Sequence, residues 1–206
     1  MHAWRHPMTL TDTLPIVMPA SHIAGPTQGQ WTYADYARLP DDGQRYEVIN
    51  GVLYMTPAPG TEHQGVSNLI ATFLTLHVQL AGMGKVFSAP TDVELAPGFV
   101  VQPDVLVIGA ARLHLITPSR IVGPPDLVVE VTSPGTAGYD RREKQDAYAR
   151  AGVPEYWIAD PHAQTVEVLI LEADAYRSQG VFRGQARLPS RVIAAFPVPV
   201  AQLFGP

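Results

Sequence analysis

Residues 127–132 read Leu127-Val128-Val129-Glu130-Val131-Thr132. Four aliphatics and a single charge describe a strand covered on both faces, because a strand with one wet face alternates between apolar and polar positions. Such a strand needs layers above and below it. Glu130 is the exception in the run. Taking an unpaired carboxylate out of water costs several kcal/mol, so a buried Glu130 must have a compensating partner. The two-residue period puts Glu130 and Thr132 on one face and Val129 and Val131 on the other.

The same anomaly recurs upstream, in Val100-Val101-Gln102-Pro103-Asp104-Val105-Leu106-Val107-Ile108, which reads as one strand with Asp104 inside it. If the two strands are neighbours, the Asp104 and Glu130 carboxylates converge and the Val131 carbonyl supplies a third oxygen. Hard cations such as Mg²⁺ take oxygen ligands of this kind. The competing reading has both acids at strand ends, bonded to arginines or loop amides. Downstream, Asp140, Lys144 and Tyr148 share one stripe of a short polar helix over 139–151. Lys144 either pairs with Asp140 on a solvated face or leans toward Glu130.

Working outward, Thr32 caps a short helix from Tyr33 that ends before Pro40. Asn50-Gly51 between Arg45–Ile49 and Val52–Thr56 is a hairpin signal. Apolar residues from Val66 to Leu80 recur at helical spacing, predicting a helix over 61–80 that Gly82 and Gly84 end. Further strands are expected over 85–88, 92–95, 155–159, 165–170, 176–181 and 186–188, with a last helical turn over 200–204. The sum is an α/β (α+β) domain, a mixed sheet flanked by helices, over residues 31–206. Residues 1–30, with Pro7, Pro15, Pro19 and Pro26 and no sustained period, read as a flexible N-terminal tail.

With 206 residues, 46% hydrophobic and 16% charged, the chain can bury one ordinary core. The absence of cysteine excludes disulfides, thiolate metal sites and cysteine nucleophiles. The net charge of −5 argues against passive binding of nucleic acid, although carboxylates that hold metal ions reverse the local sign. Only Lys85 and Lys144 are lysines among fourteen basic residues, which draws attention to Lys144. No apolar run is long enough to cross a membrane, and no leader pattern is visible, so a cytoplasmic location is expected.

Pro103-Asp104 followed by Glu130-x-Thr132 resembles the PD-(D/E)xK nuclease signature, with Thr132 where that superfamily carries a lysine. The run from Pro125-Asp126 to Ser133-Pro134, then Asp140-Arg141 with Lys144 and Tyr148, then Gly152-Val153-Pro154-Glu155-Tyr156-Trp157, resembles the Uma2 family (DUF820). So does Arg45-Tyr46-Glu47-Val48-Ile49-Asn50-Gly51. The resemblance implies a restriction-endonuclease-like fold and a metal-dependent endonuclease that hydrolyses DNA with Mg²⁺ or Mn²⁺. It implies that Lys144 replaces the lysine absent at Thr132, and that Glu47 is the first acidic position.

On that reading Asp104, Glu130 and the Val131 carbonyl hold the metal, while Lys144 orients or deprotonates the attacking water. Glu47 completes the shell. Gln145 and Tyr148 support the site from behind, and His63 contacts a phosphate or a metal, or merely caps its helix. Arg141 and Arg142 are candidates for DNA phosphates. Two alternatives stay open: a non-catalytic member that binds a metal or a partner, and a metal-dependent hydrolase of a small phosphoester. Restriction-like folds often dimerise, and the apolar segment 192–196 is a candidate surface for a homodimer.

Overall fold

The run that opened the reading lies in the interior of a six-stranded sheet. A computed structural model of the chain describes residues 17–133, 140–194 and 196–205. Its strands are β1 (Met18–Pro19), β2 (Arg45–Ile49), β3 (Val52–Thr56), β4 (Gly84–Ser88), β5 (Val93–Ala96) and β6 (Phe99–Val101). They continue with β7 (Val105–Gly109), β8 (Ile121–Val122), β9 (Leu127–Val131), β10 (Glu155–Asp160), β11 (Thr165–Glu172) and β12 (Ala175–Arg183). The α-helices are α1 (Tyr33–Tyr36), α2 (Thr61–Leu74) and α3 (Gln145–Ala151). A π-helical turn, Thr75–Gln79, prolongs α2, and another, Asp140–Lys144, leads into α3.

The α+β class holds, with the strands shared between two six-stranded sheets. One runs β1-β3-β2-β6-β5-β8, the other β12-β11-β10-β9-β7-β4. In the second, β9 pairs parallel with β10 and antiparallel with β7. Its two faces are packed by different partners, as a strand apolar on both sides demands. Leu127, Val129 and Val131 meet Val66, Ile70 and Leu74 of α2. Val128 shares the other core with Tyr148 of α3 and with Ile49 and Val101 of the first sheet. The first sheet turns Tyr46, Val48 and Leu53 the other way, onto Trp31 and Ala20.

Four expectations need amending. The expected strand over 100–108 is two strands in two sheets, because Pro103 has no N–H for a ladder and the chain crosses between sheets there. Asp104 therefore stands at the entry to β7 rather than inside a strand. Residues 17–30 are not loose: Met18–Pro19 pairs with β3, and the Ala20 N–H donates to the Leu53 carbonyl at 2.8 Å. Residues 1–16 lie outside the described residues. The expected strand over 186–188 is a single bridge from Arg187 to Pro199. The segment expected as a docking surface spends Ile193 and Phe196 on the α2-side core. Among the described residues, no helix is long and apolar enough to cross a membrane.

Candidate active site

The crossover at Pro103 brings acids from both sheets together. On β2, the residues flanking Glu47 face Trp31, so strand alternation turns Glu47 inward, toward the second sheet. Glu130 leaves β9 on the face that Val128 shares with Tyr148. Lys144 and Tyr148, one helical turn apart, reach the same place from the helix. All are deeply buried: Glu47 is 1% exposed, Asp104 6%, Glu130 3% and Lys144 5%. Charges this far from water must be matched by one another.

Lys144 Nζ donates to Glu47 Oε1 at 2.9 Å and to Glu130 Oε1 at 3.0 Å. Glu130 Oε1 also accepts from the Tyr148 hydroxyl at 2.5 Å. Glu47 Oε1 accepts a second bond, from the Gln102 N–H at 2.9 Å, while its Oε2 is buried with no hydrogen-bond partner among the described residues. Asp104 Oδ2 accepts from the Val131 N–H at 2.8 Å and lies 3.0 Å from His63 Nε2. The other His63 nitrogen, Nδ1, is 3.4 Å from Ser67 Oγ.

Burial works to raise the Asp104 pKa, but the His63 hydrogen bond and charge, then Lys144 and the Val131 N–H, outweigh it and hold the carboxyl below its ordinary value. Burial, followed by the Glu130 and Glu47 charges, pushes the Tyr148 phenol well above the usual tyrosine value, so it stays a hydroxyl donor. The orphaned Glu47 Oε2 and the all-oxygen acid set fit a hard divalent cation. Among the described residues, no three His, Asp or Glu side chains are already gathered into a coordination shell. Asp104 is turned onto His63, and Glu47 and Glu130 onto Lys144.

Other expected residues fall elsewhere. Gln145 lines a cavity with Arg150 and Tyr176, not with the acids. The Arg141 side chain lies outside the described residues. Thr132 Oγ1 donates to the Ala159 carbonyl at 3.3 Å, so the position of the superfamily lysine holds a structural hydrogen bond. Val131 contributes its N–H to Asp104. Sequence reading missed Gln102, whose backbone fixes Glu47. Its only signal is its place before Pro103-Asp104. It also passed over Glu155, fully buried yet satisfied by Trp157 Nε1 at 2.6 Å and by the N–H groups of Arg191 and Val192 at 2.7 and 3.1 Å.

The profile of one family, Uma2, described as "Putative restriction endonuclease", matches residues 33–201. The chain belongs to the Uma2 family. Its fold is also that of a solved structure from Anabaena variabilis, described as "a putative nuclease belonging to DUF820". The two are 20% identical and superpose with a TM-score of 0.70, over 84% of this chain and 97% of the other. No curated protein matches the sequence. The Uma2 match spans Glu47, Asp104, Glu130 and Lys144 alike, so the buried cluster lies wholly within the family's own region.

Proposed function

We propose that this Uma2 chain is a cytoplasmic, metal-dependent endonuclease that hydrolyses phosphodiester bonds of DNA at the Glu47–Asp104–Glu130–Lys144 cluster. The observation that carries the reading is the convergence of three buried acids and one lysine from four separate segments. Asp104, Glu130 and the Val131 carbonyl are the residues that would hold Mg²⁺ or Mn²⁺, with Glu47 Oε2 free to join them. A bound ion would polarise the phosphoryl group and make water acidic enough to attack near neutral pH.

The chain's own groups do the rest. Lys144 places an ammonium where the attacking water or the developing phosphoryl charge would sit. Tyr148 holds Glu130 in place through its hydroxyl, and His63 holds Asp104. In the reaction the water oxygen bonds to phosphorus, the bond to the leaving oxygen breaks, and a proton passes to that oxygen. A cleft of about 440 Å³ lined by His63, Thr132, Ser133, Asp160 and His162 adjoins Asp104 through His63 and is the approach this reading assigns to the substrate. Arg141 and Arg142, just before Lys144, are suited to adjoining phosphates. A homodimer would offer one such site to each strand.

The test is a calorimetric Mn²⁺ titration of the wild type and of an Asp104→Asn/Glu130→Gln double variant, each then incubated with supercoiled plasmid. Metal binding and nicking in the wild type, both lost in the variant, are expected. Binding without nicking would favour a second reading, a non-catalytic metal site. One observation points that way: Lys144 is already held by two carboxylates and Thr132 by Ala159. Binding with turnover of a small phosphoester alone would move the substrate instead. No binding in the wild type would sink the metal reading.

A further inference from the structure

Gln102 serves two places at once. Its backbone N–H fixes Glu47, and its side chain lines a second cavity of about 380 Å³. That volume lies in the range of small-ligand sites, roughly 300–1,000 Å³. Phe87 and Ile116 form its apolar wall, and Asp92, Ser119 and Arg120 bring its polar groups. Pro90 lines it too, and the preceding Ala89 N–H donates to the Asp104 carbonyl at 3.1 Å. The cavity therefore shares two wall segments with the acid cluster.

Its lining carries both a cation and an acceptor. Arg120 Nε donates to Glu94 Oε2 at 2.7 Å, and the guanidinium carbon lies 3.9 Å from the centre of the Tyr33 ring. Held from two sides, the fork is fixed in direction. Among the described residues no second carboxylate takes its terminal nitrogens, which is the state of an arginine pre-organised for an anion. Just before β5, Asp92 Oδ1 accepts from the Tyr36 hydroxyl at 2.8 Å and from Gln102 Nε2 at 2.9 Å. Both bonds fall on one oxygen, which leaves Oδ2 as an acceptor. A cation, an aromatic side chain and a fixed acceptor around one cavity are the groups that a nucleotide's phosphate, base and amino group call for.

We propose that this cavity is a nucleotide subsite, seating one unpaired nucleotide of the substrate strand beside the scissile bond. Arg120 holds its phosphate and Asp92 selects a base bearing an amino group. The proposal rests on the nuclease reading for its substrate but is tested without turnover.

The experiment titrates dAMP, dCMP, dGMP and dTMP into the metal-free wild type and into Arg120→Gln, Asp92→Asn and Ser119→Trp variants. The three amino-bearing nucleotides should bind more tightly than dTMP. Arg120→Gln should weaken all four by about tenfold, the loss of one charge-assisted hydrogen bond. Asp92→Asn should level the preference among bases. Ser119 is exposed, so Ser119→Trp fills the cavity mouth without touching the core and carries the test if Arg120→Gln melts early. No nucleotide binding by the wild type would overturn the proposal. So would binding undiminished in both Arg120→Gln and Ser119→Trp, or competition by inorganic phosphate at equal affinity. Nucleotide binding by a chain that nicks no plasmid would reject the nuclease reading and keep the subsite. Nicking without nucleotide binding would do the reverse.

Discussion

Lys144 and Glu155 show two ways for a buried charge to be tolerated. Lys144 sits between two carboxylates and is matched by charge. Glu155 is matched by three neutral N–H donors, which also tie β10 to the turn at Arg191 and Val192. Replacing Lys144 by Met keeps most of its volume and strands two buried acids. Breaking a buried pair in this way costs about 3–5 kcal/mol. Urea unfolding measures the loss, and the same variant should lose plasmid nicking. Glu155→Gln should be different in kind. It removes an acceptor oxygen and weakens the bonds to the turn, so a loss of about 2 kcal/mol is expected, with metal binding unchanged by calorimetry.

At the scale of elements, the first hairpin delivers Glu47 and its turn is tightly constrained. Asn50 and Gly51 have φ values of 53° and 68°, as a two-residue hairpin turn of this hand requires. A Cβ on Gly51 would lie 2.4 Å from the Gly29 carbonyl oxygen, which also belongs to the segment packed beside β3. Gly51→Ala should therefore destabilise by about 2 kcal/mol or more, combining positive-φ strain with a backbone clash. Thermal melting measures the loss, and a melting point equal to wild type would show that the Gly29 segment yields freely. Asn50-Gly51 was legible in the sequence because turn chemistry is local. So was Glu130, because an acid in an otherwise apolar strand needs a reason. The division of the run over 100–108 was not legible, since its apolar residues read the same in one strand or in two sheets. Pro103 was the sole mark of the break. Glu155 escaped notice because two of its three partners are backbone groups more than thirty residues away, which leave no pattern in composition or spacing. Gln145 was expected with Tyr148 behind the acids, yet it sits next to Lys144 in the chain and neighbours on a helix point in different directions.

Across the whole molecule, buried phenols link separate elements as aliphatics do. Tyr148, Tyr156 and Tyr176 form a chain of ring contacts, with centroids 5.2 and 5.8 Å apart, running from the Glu130 carboxylate to the second sheet's outer strand, β12. Tyr176 donates to the Val153 carbonyl at 2.8 Å, and Tyr36 to Asp92 beside the second cavity. Burial raises the pKa of Tyr36, Tyr148 and Tyr176, and neighbouring carboxylates add to it for the first two. The folded protein therefore keeps protons that the unfolded chain releases above pH ~10. Stability should be insensitive to these groups below that value and fall as pH rises above it, because the unfolded state then binds fewer protons than the folded one. The three phenols lie in different layers, so their losses fall together on one cooperative unit and the alkaline transition should be steep. Phenolate absorbance followed beside circular dichroism provides the measurement. Ionisation of these tyrosines should coincide with loss of secondary structure, and Tyr148→Phe should unfold at higher pH than its stability at neutral pH alone would give. If all eight tyrosines of the chain ionise near the ordinary value while the dichroism holds, the phenols do not tie the layers together. The Tyr148 hydroxyl would then be no fixed donor to Glu130.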